Sequence, residues 1–123
     1  MKYQILLEDR KNGREALIEC PANMPLEELS VKIKVELQLP YCDYNYHRFC
    51  YRGKTYVPAE HTMSEEEIYW ECTGYYYGGF RSSLYTRLKN AFTVRGSAIN
   101  YFQDDESCRN RYKVRCTLLD IIE

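Results

Sequence analysis

At 123 residues and 14.7 kDa the chain is expected to form one domain, long enough to bury a core without staples. A net charge of −1 gives the whole molecule no electrostatic pull toward nucleic acid or a membrane surface. No stretch is long and apolar enough to span a bilayer, and the opening Met1–Asp9 lacks a signal-peptide pattern. A cytoplasmic location is therefore expected. There the six cysteines stay reduced and most act as small core hydrophobes, with no C-x-x-C pair to hold zinc. Two biases remain. Tyrosine supplies 13 of the 18 aromatics, which calls for rings at the core margin or on a sticky surface. Residues 1–73 carry 9 Lys and Arg against 13 Asp and Glu, whereas residues 74–123 carry 8 against 5.

In chain order, Tyr3, Ile5 and Leu7 alternate with Gln4, Leu6 and Glu8, and Ala16, Ile18 and Cys20 repeat the pattern, so both stretches read as strands. Asn12-Gly13 between them predicts a type I′ hairpin turn, and Pro21 ends the second strand. Pro25 suits the first turn of a helix, and Leu26, Leu29, Ile33 and Leu37 share one face of it. Glu27 and Glu28 favour its positive N-terminal end, and Pro40 stops it. The stripe is expected to pack on the preceding hairpin. His47, Phe49 and Tyr51 alternate as a third strand, and Arg52-Gly53 turns into a fourth at Lys54–Val57. The segment Leu26–Tyr56 thus organises the chain.

Ser64–Glu67 fits a capping box, so residues 64–72 read as a short helical turn, although Ile68, Trp70 and Cys72 also alternate like a strand. Thr73–Phe80 reads as an aromatic loop. Ser82 or Ser83 is placed to cap a second helix bearing Leu84, Leu88 and Phe92. Ala98–Phe102 and Tyr112–Leu118 read as strands around the polar run Asp104–Asn110, and the apolar tail Leu119–Glu123 either continues the last strand or docks on the core. The expected fold is a single α+β domain over residues 1–123. It has a ββαββ core with a β-grasp-like hairpin–helix–strand start, then a second helix and a C-terminal β-hairpin in one antiparallel or mixed sheet.

Leu26-x-x-Leu29, Leu37-x-Leu39, the aromatic stretch, His47-x-Phe49 and Gly53-x-x-Tyr56, with Ile99–Asp105 and Arg111–Val114 later, resemble a known pattern. It is that of the family named for a third open reading frame on an Ri plasmid, whose members are also described as insertion-element passenger proteins. The resemblance spans about residues 1–119 and implies an α+β domain tied to mobile genetic elements, with no activity carried over. The chain departs from the pattern at Ser30, where a histidine is usual, and at Asp105–Asn110, which replaces a turn ending in histidine. A polar site built on those groups is incomplete here.

The residues that could do chemistry are scattered. His47 alternates within a strand, and Asp104, Asp105 and Glu106 lack the spacing of a calcium loop. Cys108 lies just before Arg109 and Arg111, with no histidine placed beside it. No nucleophile elbow or phosphate loop is present, so no catalytic, metal or cofactor site is expected. A binding surface is the remaining reading: Tyr75, Tyr76, Tyr77, Phe80 and Arg81 in the aromatic loop, with Arg87 and Lys89 on the second helix and Arg109, Arg111, Lys113 and Arg115 before and along the last strand. Tyr and Arg are enriched at protein–protein hot spots, while aromatic rings beside cations also stack and hold single-stranded nucleic acid. Net charge favours a protein partner. Packed tyrosines with charged strand edges are the alternative for any one residue.

Overall fold

The computed structural model describes residues 1–39, 47–51, 54–56, 80–82, 86–104 and 111–123; at 47–48, 54–56, 80–82, 104 and 111 it describes the backbone alone. The elements in order are β1 (Lys2–Asp9), β2 (Arg14–Pro21), α1 (Leu26–Glu36), β3 (His47–Tyr51), β4 (Lys54–Tyr56), β5 (Phe80–Ser82), α2 (Leu88–Ala91), β6 (Ala98–Asp104) and β7 (Arg111–Ile122). The strands form one sheet in the order β2-β1-β7-β6-β3-β4-β5, antiparallel at every pair except the parallel β4–β5. With most of the described residues in the sheet and helix packed on its core side, the architecture is α+β.

The opening hairpin follows the period-two pattern: Tyr3, Ile5, Leu7, Ile18 and Cys20 are buried, and their neighbours are exposed or half-buried. Its turn differs from the expected two-residue type I′. Asp9 pairs with Arg14, which leaves a four-residue loop, and Gly13 (φ +65°) is the one loop residue at positive φ. Asp9 explains the longer loop. Its carboxylate, almost wholly buried, accepts hydrogen bonds from the Asn12 backbone N–H at 3.4 Å and from Asn12 Nδ2 at 2.8 Å.

Helix α1 buries the expected stripe completely: Leu26, Leu29 and Ile33 at 0% exposure, with Leu37 just past its end. Pro25 stands one position earlier than expected, as the extended N-cap residue. The helix ends at Glu36, before Pro40 can act, because Gln38 takes φ +53° and the Leu39 N–H returns to the Lys34 carbonyl at 3.0 Å. Arg14 closes this end from the hairpin, its Nη1 donating to the carbonyls of Leu37 at 2.7 Å and Gln38 at 3.3 Å.

The second helix shrinks to the single turn α2. The backbone N–H groups of Leu88 and Lys89 bond to the Met24 and Ala22 carbonyls, both at 2.9 Å, and Leu26 N–H bonds to Thr86 O at 2.9 Å. Arg87 is extended and bridges to Pro25. These cross-links hold Thr86 and Arg87, directly before α2, out of helical geometry. Leu88 and Phe92 are still buried; Leu84 and Ser83 lie outside the described residues, as do the turn at 52–53 and residues 64–72.

Between β1 and β3 lie β7 and β6, so the strand after the helix is not a neighbour of the opening hairpin. The chain's last strand takes that place. It continues through the apolar tail to Ile122, and a bulge opposite Gln4/Ile5 shifts the register so that Ile121 stands across from Tyr3. β6 and β7 pair along seven residues, the C-terminal hairpin read from the sequence.

Two aromatic pairs lock the core: Phe49 with Tyr101 at 5.2 Å, and Tyr3 edge-on to Phe92 at 6.1 Å. The buried Tyr101 hydroxyl donates to Gln103 Oε1 at 2.7 Å. This places tyrosines in the core as well as at its margin.

Candidate basic cleft on the open sheet face

Alternation along β7 sends Val114, Cys116 and Leu118 into the core and Lys113, Arg115 and Leu119 to the opposite, solvent-facing side. Register then gathers a site around Arg115. Glu8 of β1 stands opposite it on one side and Asn100 of β6 on the other. The β1–β2 loop extends past the same end of the sheet and contributes Arg10 and Lys11. Glu8, Arg10, Lys11, Asn100, Lys113 and Arg115 line a cleft of about 290 Å³.

Among the described residues four cations share this cleft with one carboxylate, a local balance that favours anions although the molecule's net charge is −1. Lys113 Nζ lies 5.7 Å from the centre of the Phe102 ring, a cation–π contact that holds the lysine across the β6–β7 pair. Phe102 is buried although alternation directs it away from the core side, opposite Tyr101. A flatter and wider cleft at the other end of the sheet is lined by Met1, Lys2, Pro21, Ala22, Asn23 and Lys89, two cations rather than four among its described residues.

Of the binding residues read from the sequence, Lys113 and Arg115 meet in this cleft. Arg111 begins β7 opposite Asp104. Phe80 and Arg81 belong to β5, four strand spacings from β7, which at about 4.8 Å per strand is on the order of 19 Å. The described backbone thus sets Phe80 and Arg81 apart from Lys113 and Arg115. Tyr75, Tyr76, Tyr77 and Arg109 lie outside the described residues, as do Asp105 and Cys108. His47 pairs by backbone with Gln103, one residue from Asp104. Sequence reading missed Arg10 and Lys11, whose signal was their place in the hairpin loop, and Asn100, which only strand register brings beside Arg115.

The cysteines divide. Cys20 and Cys116 are free and buried, as small core hydrophobes should be. Burial pushes both thiols up in pKa; at Cys20, Lys32 opposes that rise and Glu36 adds to it, while at Cys116 the Cys20 thiol adds to it. Cys50, opposite Asn100, is disulfide-bonded, so the expectation that all six thiols stay reduced fails here.

Among the described residues no group of three or more His, Cys, Asp or Glu is placed to hold a metal ion, and no helix is long and apolar enough to cross a membrane. Family models, curated proteins and solved structures were all compared with the chain, and none matches it.

Proposed function

We propose that the chain is a non-catalytic interaction module that takes an acidic segment of a partner protein into the cleft between the β1–β2 loop and β7. The observation that carries this reading is the gathering of Arg10, Lys11, Lys113 and Arg115 around one concavity, with Glu8 the single carboxylate among its described lining residues. Glu8 supplies a polarity: a carboxylate-bearing ligand is drawn to the side of the cleft away from it. Tyr75, Tyr76, Tyr77, Phe80, Arg81, Arg109 and Arg111 extend this reading as further contact residues, on the strength of their composition alone. Association with a mobile genetic element rests on the sequence resemblance.

Acidic peptides of six to ten residues, titrated against the full chain, test the proposal. Saturable binding that weakens about tenfold or more when Lys113→Glu and Arg115→Glu are combined supports it. Equal binding by the variant overturns it. The second reading, nucleic acid on the same cations, predicts retention of single-stranded DNA or RNA with an affinity that falls steeply with salt, by a log–log slope of about −0.7 per phosphate contacted. Binding of the oligonucleotide in preference to the acidic peptide would replace the first reading by the second.

A further inference from the structure

Strand β2 ends the sheet. β1 pairs with it along its whole length, and among the described residues no strand lies beyond it. The Ala22 N–H bonds to the Met1 carbonyl at 3.1 Å, which sets the parity of the ladder. Antiparallel pairs alternate between hydrogen-bonded and non-bonded. Cys20, Ile18 and Ala16 therefore exchange bonds with β1, and the backbones of Glu15, Leu17, Glu19 and Pro21 face the open edge. Pro21 has no N–H to offer, which suits an outward position on an edge strand. Three donors and three acceptors remain available in a row, at Glu15, Leu17 and Glu19, because the Pro21 carbonyl accepts the Met24 N–H at 3.0 Å.

The same three residues present a distinct chemistry. Glu15, Leu17 and Glu19 all point to the exposed face, and Leu17 is 56% exposed between the two carboxylates. The cation nearest in sequence does not neutralise them, because Arg14 turns its guanidinium to the carbonyls at the end of α1. Across β1, Glu15 faces Glu8, another carboxylate. A second copy of this strand fits poorly. Set antiparallel with Leu17 against Leu17, it places each Glu15 against Glu19 of the copy; set parallel, it again brings acids against acids.

We infer that the β2 edge accepts, by strand addition, an extended basic–apolar–basic segment of a partner protein. Backbone bonds to Glu15, Leu17 and Glu19 supply the pairing, and two cations spaced two residues either side of an apolar side chain supply the selectivity. This site is separate from the basic cleft, which lies toward β7, and prefers the opposite ligand charge.

The experiment uses the full chain and a labelled, end-blocked peptide, Lys-Thr-Val-Thr-Lys, whose lysines and valine share one face of the added strand, read by fluorescence anisotropy up to millimolar protein. Saturable binding is expected. Methylation of the peptide's backbone nitrogens on one edge at a time should weaken it about tenfold or more for one of the two edges. Leu17→Pro, which removes the central outward donor and leaves the ladder to β1 intact, should weaken it about tenfold with an unchanged circular dichroism spectrum. The pair Glu15→Lys with Glu19→Lys should weaken binding of the basic peptide about tenfold or more. Absence of binding, or equal binding by both singly methylated peptides, overturns the inference. So does a wild-type dimer in sedimentation that Leu17→Pro dissolves, which would make the occupant a second copy. None of these outcomes bears on the acidic-segment reading, which is tested with acidic probes at Lys113 and Arg115.

Discussion

The two faces of β7 offer the most instructive contrast in the molecule. Val114, Cys116 and Leu118 have at most 1% exposure and join Phe49, Tyr101 and the α1 stripe in one core, whereas Lys113, Arg115 and Leu119 alternate with them on the solvent side. A period of two lets adjacent residues answer to different demands. On the inner face each side chain is held by neighbours from both strands and helix, so shape decides. On the outer face register alone decides which charges meet, and Glu8, Arg115 and Asn100 become neighbours from three distant parts of the chain.

The strongest way to sharpen the contrast is to empty the inner face. Phe49→Ala removes a fully buried ring packed against Tyr101, and the cavity should cost about 3–5 kcal/mol. Urea unfolding followed by tryptophan fluorescence and circular dichroism measures it. A loss under about 1 kcal/mol would mean that the inner face is not the close-packed layer described.

A smaller effect is expected where the hairpin loop leaves the core. Asp9→Ala deletes a buried carboxylate that accepts two hydrogen bonds from Asn12 and should cost about 1–2 kcal/mol. Asp9→Asn, which keeps one acceptor, should recover part of that loss in the same unfolding assay.

Much of the inner face was legible in advance, because burial imposes a period that composition cannot hide. The stripe Leu26, Leu29, Ile33 and Leu37, and the alternations of β1, β2 and β7, could be read directly. The hairpin loop was misread because Asn12-Gly13 resembles a two-residue turn; a side chain three residues earlier, Asp9, sets the true length. Helix α2 was overextended because Leu84, Leu88 and Phe92 have helical spacing, while backbone bonds to Ala22 and Met24 lie far away in sequence. The cleft was legible by half. Lys113 and Arg115 announce themselves as neighbours in the sequence, but nothing local tells that β7 inserts between β1 and β6. That insertion brings Glu8, Arg10 and Asn100 to them.

Titration probes the inner face in another way. Cys116 is wholly buried and its pKa is raised from the ordinary value of 9.0 by loss of hydration, so the folded state keeps the proton that the unfolded chain releases. This contribution to stability is fully present below about pH 9 and is lost progressively above it, by up to about 1.4 kcal/mol per pH unit. Comparing the wild type with Cys116→Ala cancels the titration of exposed tyrosines and lysines common to both. The variant should be less stable at pH 7 because of its cavity, and the gap should narrow from pH 8.5 to 10.5. A constant gap would show that the thiol ionises alike in both states.

The smallest expected effect on stability belongs to the outer face, and it is the one that separates the two roles of β7. Lys113→Ala gives up a cation–π contact with Phe102 that is worth about 0.5–1 kcal/mol at an exposed site. Arg115→Ala removes an exposed side chain whose register neighbours are Glu8 and Asn100, and surface substitutions of this kind usually stay within about 0.5 kcal/mol. Both variants should therefore unfold within about 1 kcal/mol of the wild type while binding of an acidic peptide weakens severalfold. If either destabilises the fold by 2 kcal/mol or more, the outer face is structural and the division between the two faces of the strand fails. If both are stable and the peptide still binds as before, the cations of β7 hold neither the fold nor the ligand, and the cleft loses its claim to be the recognition site.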